Sequence, residues 1–598
     1  MNIHYNILSN LKRSIKFVYS VRKKWPILNT GISVFNGILP LCFILLIKQI
    51  IDAITNVSQS QNNSFQFDYL IILIAIAGLV FLINEILSNL AQLTKENHIQ
   101  EVNDLVFDKL HEKSSQLDLE HFENQKYQDI LFRARTEAVF RPARIINSIL
   151  AIWQNSFSLI LSIVILFWVH WSIALILLAA IIPGVFIRVK YARFLFEWNK
   201  KNTSKERRSR YLNFLAVGEK YIKDIRLFGL ENYFKTEFKT VRKELKQERL
   251  KLMSRRVGIE ILGQVFTALA IFGSFIFIAK QTIDGAMTAG TMVLFFLAFQ
   301  RGFTYFRGVV NNLANLYEDS LFLNYYHEFL SLEPKINRQP DSISFGKKFL
   351  VDGMKIENLS FTYPGSDIKI LQNINFEIKA GETLAIVGEN GAGKSTLIKL
   401  LCRFYDPDTG KILLDGTDIK NIELDTYRNS ISALFQDFSQ FHFSIKDNIA
   451  FGNVQSEFSY DDFSKATNGA GIEKLLRKFP DKENTLLGNT FEKSSELSIG
   501  EWQKIALARF FYRQSLLVFM DEPTSHLDSE TEALFHSYLT TYLKDKTAVI
   551  ISHKIPTLQI ADRIIVLAQN TIAETGTYEE LMSKKGAYYS MIVKGSNC

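Results

Sequence analysis

Six long apolar segments in the first 320 residues constrain this chain more than any other feature of its sequence. They lie near residues 26–47, 69–90, 145–168, 172–189, 257–279 and 291–316. A helix needs roughly 20 mostly apolar residues to cross the hydrocarbon core of a bilayer. Runs such as ILAIWQNSFSLILSIVILFWV are too long and too poor in charge for helices of a soluble core. The sequence therefore predicts an all-α membrane bundle of six helices.

Lysine and arginine are distributed unevenly between the connections of these segments. The N-terminal stretch and the long second and fourth connections are rich in both, whereas the opposite connections carry little beyond Lys48 and Lys280. The positive-inside rule then predicts that the N-terminus, both long connections and the C-terminal half lie in the cytoplasm of a cell-membrane protein. The same distribution explains part of the net charge of +8 and removes the main reason to expect a nucleic-acid partner.

Helical spacing of apolar residues continues through both long connections, which predicts helices that extend out of the membrane. Several polar side chains also fall inside the apolar segments. Charges at membrane depth usually face a bundle interior or a water-filled path, although those near segment ends can reach the interface instead. The residues concerned are Glu85, Glu260, Gln264, Gln300, Arg301 and Arg307.

The motif GENGAGKST follows a strand-like apolar run and precedes a helix-like one. This is the context of a P-loop, whose backbone N–H groups and helix N-terminus hold phosphate. Lys394 is expected to reach the β- and γ-phosphates of ATP, and the Ser395 hydroxyl to hold Mg²⁺. The nucleotide-binding residues predicted here are Gly388, Glu389, Asn390, Gly391, Ala392, Gly393, Lys394, Ser395 and Thr396.

A second motif, LLVFMDEP, places two carboxylates at the end of an apolar strand. Ligands of parallel sheets bind at this carboxyl edge. Asp521 is expected to hold Mg²⁺, and Glu522 to act as the general base on the attacking water. The alternative is an acidic pair that only caps the next helix. Strands alternating with helical patterns predict an α/β ATPase domain after a polar, proline-containing linker.

These motifs, together with ELSIGEWQKIALAR and AVIISHK, occur in an order that resembles ABC transporters of the exporter type. The resemblance implies a half-transporter that dimerises, as a homodimer in the reading we favour, and places two ATP molecules between P-loops and signature motifs. It assigns residues 1–325 to the membrane domain, 326–352 to a linker and 353–598 to the ATP-binding domain. Residues 122–129 and 220–228 resemble the two coupling helices of the family.

The resemblance also implies roles for residues outside the two motifs. Tyr363, in SFTYPG, resembles the aromatic residue that stacks on adenine, and Gln436, in ALFQDFSQF, resembles the glutamine that touches Mg²⁺. Ser498 and Gly500 resemble the signature residues that bind the γ-phosphate in the partner's site. Asp528 resembles the residue that links the two ATP sites of the dimer. His553 resembles the switch histidine that contacts the γ-phosphate.

The signature motif departs from the usual LSGGQ, because Ile499 and Glu501 replace a glycine and the glutamine. We expect a working site, with Glu501 bringing a negative charge near ATP. His526 stands where the family usually has a small residue.

The sequence says less about the transported substrate, the cargo, than about the ATP site. The runs ALFQDFSQFHFSIKDNIAFG and WQKIALAR resemble bacterial peptide exporters of the lantibiotic type. A peptide substrate is therefore favoured. The alternatives are export of a lipid or hydrophobic drug, and a membrane ATPase that transports nothing.

Overall fold

The computed structural model describes residues 15–19, 24–59, 63–138, 140–172, 191, 194–195, 197–198, 201–336, 343–346 and 349–596. The chain forms two compact units. The first contains Met1–Ser115 and Asp129–Leu332, and the second contains Gln116–Gln128 and Glu333–Cys598.

Helices make up most of the described part of the chain before residue 331. Two of them, Asn63–Gln116 and Glu231–Ile283, continue without a break for 54 and 53 residues, about 80 Å at 1.5 Å per residue. That length exceeds the bilayer core and confirms the predicted helical extensions. The helices are α1 (Lys24–Gln59), α2 (Asn63–Gln116), α3 (Leu119–Glu123), α4 (Gln125–Ala138), α5 (Arg141–Val169), α6 (Thr203–Val217), α7 (Glu219–Leu227), α8 (Glu231–Ile283) and α9 (Ala289–Leu330).

Four helices of the described chain are long and apolar enough to cross a membrane, namely α1, α2, α5 and α8. Of the predicted segment 172–189, only Ser172 is described. The predicted segment 291–316 lies on α9, which is not among those four. Gln300 and Arg301 lower the mean hydropathy of α9 at this point.

Close helix packing in the first unit depends on small residues. A Cβ added to Gly37 of α1 would lie 2.8 Å from the Ser158 Oγ of α5. The Ser158 hydroxyl instead donates a hydrogen bond of 3.1 Å to the Gly37 carbonyl. Small residues allow such contacts between helices in a membrane.

The second unit contains two sheets. Their strands are β1 (Met354–Thr362), β2 (Lys369–Ile378), β3 (Thr383–Gly388), β4 (Thr409–Leu414), β5 (Thr417–Asp418), β6 (Ile431–Leu434), β7 (Leu517–Asp521), β8 (Thr547–Ile551), β9 (Arg563–Ala568) and β10 (Thr571–Gly576). The smaller sheet has the strand order β2-β1-β4-β5, and the larger one β10-β9-β3-β8-β7-β6. In the larger sheet all neighbours are parallel except β9 and β10.

Every residue of β3, β7 and β8 is buried, as expected of strands covered on both faces of a parallel sheet. The α-helices that follow residue 333 are α10 (Lys394–Leu401), α11 (Leu424–Asn429), α12 (Ile445–Ala450), α13 (Tyr460–Gly469), α14 (Glu473–Lys478), α15 (Ile499–Tyr512), α16 (Ser529–Tyr542), α17 (Ile555–Ile560), α18 (Tyr578–Lys584) and α19 (Ala587–Ser596).

Candidate active site

Four neighbouring parallel strands end at one edge of the larger sheet, and each is followed by predicted site residues. The P-loop follows β3, His553 follows β8, Glu522 follows β7, and Gln436 follows β6. The strand order β3-β8-β7-β6 therefore brings together residues that are separated by up to 165 positions in the sequence. This carboxyl edge is where open α/β sheets bind ligands.

The backbone of the P-loop requires glycine at two positions. Gly393 caps α10 at φ +94°, and a Cβ there would lie 2.7 Å from Leu371 Cδ2. Gly388 lies so close to β9 that a Cβ would be 2.5 Å from the Leu567 carbonyl oxygen. Only glycine lets the loop turn tightly and leave its N–H groups available.

Lys394 is buried at the start of α10, and its ammonium group points back into the loop. It donates to the carbonyl oxygens of Gly388 at 2.6 Å and Glu389 at 3.1 Å. Burial lowers the pKa of Lys394, and the nearby Glu522 and Asp521 carboxylates oppose that shift. A phosphate entering the loop would offer this cation a fully charged partner.

Burial raises the pKa of the Asp521 carboxyl, whereas the neighbouring Ser395 hydroxyl and Lys394 ammonium lower it. Within the described residues there is no group of three His, Cys, Asp or Glu side chains that could hold a metal ion. A hydroxyl and one carboxylate nevertheless fit Mg²⁺, which commonly takes few protein ligands and completes its shell with water and nucleotide phosphates.

Glu522 forms the centre of a second set of contacts. Its backbone is in the left-handed region at φ +49°, which is strained for a residue with a side chain. One carboxylate oxygen accepts a hydrogen bond of 3.1 Å from Gln436 Nε2, and the other lies 3.8 Å from His553 Nε2. Burial lowers the pKa of His553 and Lys394 lowers it further, while both carboxylates oppose the shift. The lowered pKa favours the neutral imidazole.

Tyr363 lies beside the P-loop helix. Its hydroxyl is 3.0 Å from the Thr396 Oγ1, and its ring packs edge to face against Phe361 and Tyr405. The Lys399 ammonium lies 5.7 Å from the centre of the Tyr363 ring. These contacts hold an aromatic ring next to the phosphate-binding loop.

Ser498 and Gly500 lie at the start of α15. The Ser498 hydroxyl accepts a hydrogen bond from the Glu501 backbone N–H, and the Glu501 carboxylate accepts one of 2.8 Å from the Ser498 N–H. This is a capping box. A Cβ at Gly500 would lie 2.6 Å from the His526 carbonyl oxygen, so glycine is required where α15 meets the loop after β7.

Glu501, the departure from the usual signature motif, also pairs with Lys478 at 2.9 Å. Burial would raise the pKa of Glu501, but hydrogen bonds from Lys478 and Ser498 outweigh it and lower the pKa. The negative charge that we expected near ATP is thus matched by a lysine from α14.

Asp528 caps α16, accepting hydrogen bonds of 2.9 Å from the Thr531 N–H and from Lys504 Nζ. The hydrogen bonds from Lys504 and Thr531 hold its pKa well below the usual range. His526, the other departure, donates its backbone N–H to the Gln503 Oε1 at 2.9 Å. This ties the loop to α15.

The predicted site residues thus form two groups. The P-loop, Asp521, Glu522, Gln436 and His553 form the first, while Ser498, Gly500 and Asp528 form the second. Within the described part of the chain, no hydrogen bond or ion pair joins a predicted residue of one group to a predicted residue of the other.

Sequence reasoning missed the partners that hold these groups in place, Lys478, Gln503 and Lys504. It also missed Glu123 of α3, whose carboxylate accepts hydrogen bonds from Lys399, at 2.9 Å, and from Tyr405. Only the capping box has a local sequence signal, the pattern Ser-x-x-Glu at residues 498–501.

Known proteins share both the helical unit and the sheet-containing unit of this chain. Residues 27–304 match the family profile described as the ABC transporter transmembrane region, and residues 371–525 match the profile of the ABC transporter. The structure resembles that of a bacterial Atm1-family ABC exporter with ATP bound, with a TM-score of 0.80 at 21% identity, covering 96% of this chain and 99% of the other. The chain belongs to the ABC transporter family. Within it, the protein is an exporter-type half-transporter that spans the membrane, binds nucleotide and uses ATP hydrolysis for export.

Three curated relatives illustrate the range of the family. The subtilin transport ATP-binding protein SpaT of Bacillus subtilis is 27% identical over 98% of this chain and 94% of its own length. The nisin transport ATP-binding protein NisT of Lactococcus lactis subsp. lactis is 26% identical over 98% of this chain and 96% of its own. An ATP-dependent lipid A-core flippase of Vibrio vulnificus is 27% identical over 82% of each chain.

Proposed function

We propose that the first group of site residues binds and hydrolyses MgATP. Lys394 and the N–H groups of the loop bind the phosphates, and the tyrosine ring of Tyr363 stacks on adenine. Ser395, Asp521 and Gln436 hold Mg²⁺, which when bound offsets negative charge on the phosphates. Glu522 takes the proton from the attacking water, and His553 contacts the γ-phosphate. The observation that carries this proposal is the convergence of Glu522, Gln436 and His553 beside Lys394.

A second copy of the chain completes each site. Ser498, Gly500 and Asp528 lie in a separate group, and α15 presents its N-terminus, where the helix dipole favours a phosphate. We infer that this end of α15 faces the P-loop of a partner chain in a homodimer. Residues 1–325, 326–352 and 353–598 then act as the membrane domain, the linker and the ATP-binding domain, with the ATP-binding domain in the cytoplasm.

The cargo that we propose is a peptide. Two of the relatives aligned over nearly the whole chain carry the names of subtilin and nisin transport. Lipid export is the second candidate, because relatives named as lipid A-core flippases align over 82% of the chain.

Substitution of the proposed general base tests the hydrolytic assignment. In Glu522→Gln, ATP should still bind, but hydrolysis should slow by a factor of about 10²–10⁴ because the water loses its base. We would measure ATPase turnover and retained nucleotide in nanodiscs. The control is Glu579→Gln, an exposed carboxylate in the first turn of α18, which should hydrolyse ATP at the wild-type rate. Near wild-type turnover in Glu522→Gln would refute the assignment.

A further inference from the structure

A cavity of about 730 Å³ lies at the amino edge of the larger sheet, opposite the edge that carries the candidate active site. Ser430, Leu516 and Lys546 line it, and they directly precede strands β6, β7 and β8. Strands β7 and β8 have five residues each and span about 16 Å at 3.3 Å per residue. The cavity is therefore separate from the residues to which we assign ATP hydrolysis.

Three aromatic rings form one side of this cavity. Phe511 of α15 lies edge to face against Tyr538 and Tyr542 of α16, with ring centres 4.9 Å apart in both pairs. The Tyr542 hydroxyl donates a hydrogen bond of 3.1 Å to the Arg513 carbonyl oxygen, which holds its ring in place. We call the rings of Phe511, Tyr538 and Tyr542 the aromatic wall. Such a wall suits an aromatic ligand, because aromatic rings pack favourably against one another.

A lysine without a counter-ion stands at the aromatic wall. The Lys546 ammonium lies 3.4 Å from the centre of the Tyr542 ring. Within the described part of the chain no carboxylate forms an ion pair with this half-buried side chain, not even that of the adjacent Asp545. Burial lowers the pKa of Lys546 to about 8. An anion bound here would offset the cost of burying the ammonium group.

The other charged side chains that line the cavity, Asp462 and Lys465 of α13, have partners of their own. The Lys465 ammonium pairs with the Asp461 carboxylate. The hydrogen bond from that pair raises the pKa of Lys465, and Asp462 adds to the shift. The Asp462 carboxylate accepts a hydrogen bond of 3.1 Å from Gln514 Nε2. The charge without a partner at the aromatic wall is therefore the positive charge of Lys546.

We propose that this cavity binds a small aromatic carboxylate, with its ring against the aromatic wall and its carboxylate on the Lys546 ammonium. The volume is within the range of about 300–1,000 Å³ that is usual for small-molecule sites. One ammonium group matches one carboxylate. A nucleotide suits the cavity less well, because its several phosphate charges would meet a single free cation and would be repelled by Asp462.

Two matched probes, 4-fluorophenylacetate and its uncharged amide 4-fluorophenylacetamide, would test this inference. Each would be titrated into the full chain in nanodiscs with saturating MgADP, which fills the ATP site, and binding would be followed by ¹⁹F NMR line broadening against empty nanodiscs. At pH 7 the carboxylate should bind about tenfold more tightly than the amide. Equal binding of the two probes, no binding of the carboxylate, or binding only without MgADP would overturn the inference.

The pH dependence of binding tests the ion pair with Lys546. The probe carboxylate stays ionised above about pH 6, whereas the Lys546 ammonium loses its proton as the pH rises through about 8. Burial raises the pKa of Tyr538 and Tyr542, so both hydroxyls stay neutral in this range. The affinity of the wild-type protein for the carboxylate should therefore fall about tenfold or more between pH 7 and about pH 9.5. Lys546→Arg should keep its affinity, because a guanidinium stays charged.

Lys546→Met removes the charge at similar length. It should bind the carboxylate about tenfold more weakly than wild type at pH 7 and bind the amide equally well. The matched control is Lys544→Met, an exposed lysine two positions earlier that is not among the residues lining the cavity; it should bind both probes as wild type does. Undiminished carboxylate binding in Lys546→Met, or the same loss of affinity with pH in Lys546→Arg as in wild type, would refute the proposed site.

Discussion

At the scale of single residues, the ring and the hydroxyl of Tyr363 have different roles, which substitution can separate. The hydroxyl contacts Thr396, while the ring is the part expected to stack on adenine. Stacking of a base on an aromatic ring contributes about 1–3 kcal/mol. We therefore expect Tyr363→Ala to raise the KM for ATP about tenfold and Tyr363→Phe to leave it close to wild type. Steady-state ATPase assays would measure both. Equal effects of the two substitutions would contradict a stacking role.

Positions that depend on the local chain were predictable, and contacts between residues distant in the sequence were not. The P-loop glycines, Lys394 and Ser395 lie between the end of β3 and the first turn of α10, and their spacing predicted this order of strand, loop and helix. Glu501 was predicted only as a negative charge near ATP. Its charge is matched by Lys478, which is 23 positions away on another helix, and no spacing rule indicates that pair. Its capping box was predictable from Ser-x-x-Glu.

At the scale of elements, the contact between α15 and the loop after β7 depends on Gly500. An added methyl group would lie 2.6 Å from the His526 carbonyl oxygen, so the helix or the loop must move. Forcing extra atoms into a packed site costs about 1–3 kcal/mol. Gly500→Ala should lower ATPase turnover about tenfold or more while the protein still folds, as monitored by thermal unfolding.

Ile499→Ala is the matched control for that experiment. Its side chain is 55% exposed at the neighbouring position of the same helix, and alanine is well tolerated there. ATPase turnover should remain near the wild-type value. Equal turnover in Gly500→Ala and Ile499→Ala would show that the close contact has no functional importance.

Within the described residues, the sequence predicted a membrane-spanning helix correctly wherever an apolar run was long and uninterrupted. Helices α1, α2, α5 and α8 were predicted because their apolar runs are long. In α9 the pattern is mixed, since one side packs in the bundle and the other is polar. The mean hydropathy of such a helix is low, because the polar side offsets the apolar side that packs in the bundle. The break at Asn124 between α3 and α4 was also missed, because the sequence resembles one continuous coupling helix there.

At the scale of the whole molecule, an interchain crosslink tests the shared ATP site. We would combine Ser395→Cys and Ser498→Cys in a chain whose native cysteines, Cys42, Cys402 and Cys598, have been replaced. A disulfide between two chains should form when the ATP-binding domains close, and it should appear at twice the monomer mass on a non-reducing gel. A disulfide found only within single chains would refute the shared site.

Orientation in the membrane has its own test. The uneven distribution of lysine and arginine predicts that Ser58 is outside the cell and Lys205 inside. In intact cells, an impermeant thiol reagent should label Ser58→Cys and leave Lys205→Cys unlabelled. After permeabilisation both should react. Labelling of Lys205→Cys but not Ser58→Cys in intact cells would invert the proposed topology.

The placement of Gln116–Gln128 in the second unit has a consequence for biosynthesis. This short segment leaves the ribosome about 200 residues before the rest of its unit begins to emerge. Glu123 therefore cannot meet Tyr405 and Lys399 until much later, after most of the membrane helices have been made. Domains generally fold in order during synthesis, at about 5–20 residues per second. The second unit can therefore be completed only after this earlier segment has reached the side of the membrane on which the rest of the unit folds.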